Sequence, residues 1–270
     1  MRFGYDGRPF DGWARQPGRR TVEEEIRRGI VRCGIAPDPA RAELRVASRT
    51  DRGVSARGNA LTLRSGLPGT ALLGALNGVA PEIFFTGAVE VPEEFRVRSP
   101  RSREYRYYLP SDTPGLGRWP ALARRFVGRP IDVRSFARGL PSGRPCWRSF
   151  DELELVRSRE GPVLRVRSPG FLWGMVRKIV AALEMAGDGR IAEEDLEGAL
   201  LGHRRVAIPL APPEPLLLWE VDYGRPWSVG PPRVGRAQQL HVREEQARAE
   251  ARRRLLPELF GAARAEDDPG

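Results

Sequence analysis

Apolar positions along this chain change period several times, and each change marks an element. Residues 1–6 alternate closely enough for a short strand, which Gly7, Pro9 and Gly12 break. Thr21-Val22-Glu23-Glu24 has the form of a capping box and opens a helix whose apolar stripe is Val22, Ile26, Ile30 and Cys33. Strands are expected at 44–47, 59–63 and 83–91, with a short helix at about 70–79 before the last. The second half repeats the same kinds of element. An aromatic strand at 105–109 leads to a glycine- and proline-rich loop at 110–120 and a short helix at 133–138. Strands at 153–157 and 163–167 then flank the turn Glu160-Gly161-Pro162. The strongest helical pattern runs from 171 to 186, with Leu172, Met175, Val176, Ile179, Val180 and Leu183 on one face and Gly187 and Gly189 as the stop. A helix at 193–201 and a strand at 216–223 complete the patterned region.

Elements in this order predict an α+β protein of two halves, 1–100 and 101–224, each a sheet covered on one face by helices, with a cleft between them. The halves share no visible sequence similarity. Residues 225–270 change character: a proline- and glycine-rich linker to 235, then a helix at 238–256 dense in glutamate and arginine, which reads as a solvated face or a lid. Residues 267–270 are expected to be disordered.

Composition narrows the partner. A chain of 270 residues, 40% hydrophobic and 30% charged, can bury a core in each half. No apolar run nears the roughly 20 residues that cross a bilayer, and the amino terminus lacks the order of an export signal, so a cytoplasmic location is expected. The net charge of +10 calls for a polyanion, nucleic acid first. Lys178 is the only lysine. Codon bias in a GC-rich genome would produce the same excess of arginine, yet guanidinium also binds phosphate bidentately and stacks on bases. Cys33, Cys146, His203 and His241 stand alone, so no metal site is expected and the cysteines read as reduced and structural.

The candidate chemistry sits in Arg49-Thr50-Asp51-Arg52-Gly53-Val54-Ser55-Ala56, which follows an apolar strand. A D-x-G tripeptide alone is a common turn in which the aspartate bonds its own backbone. Here Arg49 and Arg52 place positive charge beside the carboxylate and can hold a phosphate, while Gly53 lets the backbone bend close to a nucleotide. The segment resembles R-T-D-x-G-V-x-A, the catalytic signature of the TruA-type tRNA pseudouridine synthases. So do Tyr5-Asp6-Gly7 with Gly12-Trp13, Gln16 and Thr21-Val22; Phe95, Arg96, Arg103 and Tyr105-Arg106-Tyr107; the run from Phe171-Leu172 through Met175-Val176-Arg177 to Ile179-Val180; and Ala211-Pro212 with Leu216, Leu218, Val221 and Tyr223. The resemblance covers about 2–223.

The resemblance implies the pseudouridine synthase fold, with two sheet-plus-helix halves flanking a central basic cleft, and a cofactor-free isomerase acting on the anticodon stem-loop of tRNA at positions 38 to 40. Asp51 would be the essential aspartate, attacking the sugar C1′ or taking the C2′ proton. Tyr105 would stack on the uracil and can move a proton. Arg177, at the flank of the helix stripe, would pair with Asp51, and Arg49 would fill the mouth of the cleft. Arg52 and Arg106 join Tyr105 as substrate contacts. A homodimer bridged by one tRNA is implied as well. Arg52 and Ser55 resemble the archaeal and eukaryotic style of the signature, and Ala181 and Glu214-Pro215 depart from its usual glycines. Two alternatives remain: the same chemistry on another RNA position, or a basic RNA-binding protein without turnover. Against the latter stand the intact Asp51, Tyr105 and Arg177.

Overall fold

The structure, a computed structural model, describes residues 1–140, 146–227 and 235–264. Its first half runs β1 (Arg2–Tyr5), α1 (Val22–Arg32), β2 (Arg45–Val46), β3 (Ser55–Thr62), α2 (Gly69–Leu76) and β4 (Ile83–Gly87). The second runs β5 (Ser102–Tyr108), α3 (Trp119–Arg124), β6 (Ile131–Asp132), β7 (Trp147–Arg148), β8 (Glu152–Ser158), β9 (Gly161–Ser168), α4 (Met175–Gly187), α5 (Glu193–Leu200) and β10 (Leu216–Asp222). A last helix, α6 (Arg236–Arg264), follows.

The two halves share one mixed sheet in the order β4-β1-β3-β10-β5-β9-β8, with β2 added to β3. The join is β10. It runs parallel to β3, pairing Leu217 with Ser55 and Leu218 with Ala56, and antiparallel to β5 on its other side. Where the sequence suggested a sheet in each half, the last strand therefore closes both into one continuous surface. Leu216, Leu218 and Val221 keep the buried face of that strand apolar across an irregularity between Leu218 and Glu220. On the buried side α1 contributes Val22, Ile26 and Ile30, and α4 contributes Met175, Val176, Ile179, Val180 and Leu183. The opposite side is a mesh of ions. Arg2 grips Glu220 through two nitrogens at 2.9 and 2.6 Å, and Arg165 reaches both Glu152 and Glu154 at 3.1 Å.

Thr21 caps α1 as expected, accepting the Glu24 amide at 3.3 Å. Four expectations need correction. Residues 133–138 form no helix: Val133, Phe136 and Ala137 are buried at helical spacing, but the chain turns there, with the Asp132 carboxylate accepting the Arg134 amide at 3.0 Å and Val133 bonding Cys146. The supposed loop at 110–120 ends in α3, where Pro120 stands in the first turn, a position that has no use for an amide donor. Helix α4 begins only at Met175, because Gly174 is left-handed at φ +69°. Strand β4 stops at Gly87 rather than continuing to 91.

The charged tail docks by one face of its first turns. Gln238 is buried and donates to the carbonyls of Asn77 and Ile83, His241 meets Asp6 at 3.3 Å, and Glu245 meets Arg8 at 2.9 Å. The expectation for 267–270 lies outside the described residues.

Candidate active site

The loop between β2 and β3 carries Asp51, and Gly7 and Gly12 of the amino-terminal motif leave room for it to pass. A Cβ on Gly7 would lie 2.1 Å from the Val54 carbonyl oxygen, and one on Gly12, at φ +88°, would press on Thr50 and Arg52 backbone at 3.1 Å. The Gly7 amide donates to Ser55 Oγ at 2.9 Å, so the serine ties the first turn to the aspartate loop. The Trp13 amide holds the Thr50 carbonyl at 3.1 Å, and the Tyr5 and Thr50 hydroxyls share a hydrogen bond of 2.7 Å. Gly53, at φ +80°, makes the turn that returns the Val54 amide to the Asp51 carbonyl at 3.2 Å.

Two donors hold the Asp51 carboxylate, one in the first turn of α4 and one just before it. Arg177 Nη1 donates to Oδ2 at 2.9 Å and the Trp173 indole N–H to Oδ1 at 3.1 Å. Arg177 is in turn fixed by its Nε on the Ala211 carbonyl at 2.6 Å, so one guanidinium links the aspartate loop, α4 and the approach to β10. The pair is shielded, with side chains 24% and 13% exposed, which makes each partner costly to remove alone.

Tyr105, on β5, lines the same cleft. It is 7% exposed and stands edge-on to Phe171 at 4.9 Å between centroids. Burial pushes its phenol up to about 12; the Arg103 charge and a Ser48 hydrogen bond oppose that rise, and the Asp51 charge adds to it. The hydroxyl is therefore protonated at neutral pH, a donor rather than a base. Arg103 was read in the sequence only as part of a motif, yet it staples the site. Its guanidinium donates to Ser48 Oγ at 2.9 Å and to the carbonyls of Ala47 and Arg98 at 3.0 Å and Pro169 at 2.5 Å. Desolvation lowers its pKa, and its charge faces carbonyl dipoles from both halves.

The cleft encloses about 1330 Å³, above the ~300–1,000 Å³ of ordinary small-ligand pockets, and has room for a nucleotide with its flanking backbone. Arg49, Arg98 and Arg138 line it without a carboxylate partner among the described residues, whereas Arg52 spends part of its charge on Asp11 at 3.3 Å. Asp51, Tyr105, Arg177, Arg49 and Arg52 thus come together. Arg106 does not: it follows Tyr105 on a strand and so points to the opposite face, where it bonds Glu104 at 2.7 Å and lies 3.3 Å from the Trp219 ring centre. That position corrects its reading as a substrate contact. Trp173, Arg98 and Arg138 are the cleft residues that sequence reasoning passed over; only Trp173 left a trace, lying four residues before Arg177. Among the described residues no cluster of three histidine, cysteine or acidic side chains could hold a metal, and no helix is long and apolar enough to cross a membrane.

A family profile described as tRNA pseudouridine synthase matches residues 122–224. The tRNA pseudouridine synthase A of Thermococcus kodakarensis is 39% identical over 225 residues, 83% of this chain and 84% of that protein. That of Methanocorpusculum labreanum is 35% identical over 269 residues, 98% of this chain and 92% of that protein. A solved Cbf5-Nop10-Gar1 complex aligns with 69% of this chain and 54% of that one at 15% identity and a TM-score of 0.35, too low to bear on the fold. With identity at this level spread over nearly the whole patterned region, the chain belongs to the tRNA pseudouridine synthase A family, RNA-modifying isomerases.

Proposed function

We propose that this protein isomerises uridine to pseudouridine in the anticodon stem-loop of tRNA, at positions 38 to 40, with Asp51 as the catalytic carboxylate. The observation that carries the reading is a shielded aspartate held by Arg177 in a cleft where Arg49, Arg98 and Arg138 have no carboxylate partner among the described residues. The reaction breaks the N1–C1′ bond, turns the uracil, joins C5 to C1′, and leaves a proton on N1 in place of the one lost from C5. Asp51 can serve by attacking C1′ to give a glycosyl ester, which C5 then displaces. It can equally take the C2′ proton, giving a glycal, and return it. In both, the base must leave its stack to reach the carboxylate, and unpaired guanidiniums suit the phosphates of the distorted strand. Tyr105 presents a flat ring and a protonated hydroxyl to the uracil. Resemblance in sequence, together with the relatives' names, supports tRNA as the substrate; the same resemblance supports positions 38 to 40, a cytoplasmic enzyme and a homodimer.

Three measurements test this reading. Wild-type protein incubated with tRNA tritiated at uracil C5 is expected to release tritium, and Asp51→Ala to release none; release by Asp51→Ala at the wild-type rate overturns the role given to that residue. Mapping pseudouridine in tRNA from cells with and without the protein is expected to show losses confined to positions 38 to 40. Sedimentation at micromolar concentration is expected to show a species of twice the 30.1 kDa chain, and a monomer alone refutes the dimer.

A further inference from the structure

Asp51 has two oxygens, and only one of their protein partners belongs to the pattern that suggested the site. The other is the Trp173 indole, whose N–H donates to Oδ1 at 3.1 Å although the ring is 56% exposed. An exposed tryptophan with its polar atom turned inward is not placed by burial, and the surrounding geometry shows what holds it. The Arg138 guanidinium sits over the ring 4.4 Å from its centre, and the Arg138 amide donates to the Trp173 carbonyl at 2.9 Å. Gly139, left-handed at φ +67°, brings backbone close enough that a Cβ would touch the ring at 3.5 Å. Gly174, left-handed at φ +69°, lifts Trp173 out of α4, so the indole can reach the carboxylate while Arg177 reaches it from the helix.

We propose that Trp173 is a positioning residue for Asp51: with Arg177 it fixes the rotation of the carboxylate plane, one donor on each oxygen. A carboxylate held at a single oxygen turns freely about its terminal bond, and a misplaced reacting atom costs rate more than binding. This rests on Asp51 being the catalytic group. Trp173 touches the carboxylate rather than the reacting sugar, so its loss is expected in kcat and not in KM.

The test compares Trp173→Phe, which keeps a flat ring and removes the N–H, with Trp173→His, which restores a ring N–H, using tritium release from tRNA. Because the side chain is half exposed, both variants are expected to keep the wild-type melting temperature. Trp173→Phe should lower kcat about tenfold or more at unchanged KM, the scale of one hydrogen bond to a charged group, and Trp173→His should recover part of that loss. Wild-type kcat in Trp173→Phe overturns the proposal, as does equal impairment of the two variants, which would assign the effect to ring shape. Asp51→Ala is run alongside: an active Asp51→Ala defeats the underlying assignment, whereas an inactive one beside an unaffected Trp173→Phe defeats only the role of Trp173.

Discussion

At the scale of single residues, the site divides into groups that hold the Asp51 carboxylate and groups that line the cleft beside it. Tyr105→Phe separates two roles for the phenol. If the hydroxyl donates to the uracil, kcat is expected to fall by about 10²- to 10⁴-fold in tritium release, whereas a ring needed only for stacking leaves kcat near wild type. Arg49 has no acidic partner among the described residues, so Arg49→Ala is expected to weaken tRNA binding and reduce the slope of log K against log salt by about 1, measured by titration at several salt concentrations. Asp51, Tyr105 and Arg177 were legible in the sequence because each lies in a motif with a chemical reason for its residue type. Arg106 was misplaced although strand alternation forbids it the face of Tyr105, since a motif records neighbours and not directions. The role of Arg103 escaped because nothing in a sequence says that four acceptors from separate loops converge on one guanidinium.

At the scale of elements, the aspartate loop is positioned by contacts with the first turn of the chain rather than by its own preference. Gly7→Ala is expected to destabilise the protein by about 2 kcal/mol or more, because a Cβ there meets Val54 backbone and not a flexible side chain. It should also lower activity with Asp51 intact, and thermal melting together with tritium release checks both. Thr21→Ala removes a cap outside that contact and is expected to cost about 1 kcal/mol without changing kcat. The Thr21 cap could be read from its residues, and the longer strands and most helices from periodicity, whereas the two-residue strands β6 and β7 could not. The start of α4 could not, because Phe171 and Leu172 continue an apolar pattern that the left-handed Gly174 interrupts. The absent helix at 133–138 has a different cause: burial at helical spacing arose in a turn held by the Asp132 carboxylate on the Arg134 amide.

At the scale of the whole molecule, α6 returns to the first half and meets the turn that supports the aspartate loop. Asp6, shared by Arg8 and His241, joins them. Burial pushes its carboxyl up, but the Arg8 hydrogen bonds and charge, with His241, outweigh that and hold it below its ordinary 3.8. A carboxyl lowered by folding contributes stability that is fully present above 3.8 and lost as pH falls through the folded value. The melting temperature of wild type is therefore expected to drop more steeply below about pH 4 than that of Asp6→Asn, with the two curves converging at the acid end.

The sequence by itself determined the α+β class and the family and nominated Asp51, Tyr105 and Arg177 as candidates, because periodicity, turn residues and motif chemistry are local properties. Tertiary structure decided what depends on distant segments meeting. A parallel pairing of β10 with β3 joins residues far apart in the chain and makes one sheet of two halves. That same closure brings α4 against the aspartate loop, so that Asp51 acquires Arg177 on one oxygen and Trp173 on the other, more than a hundred residues away along the chain.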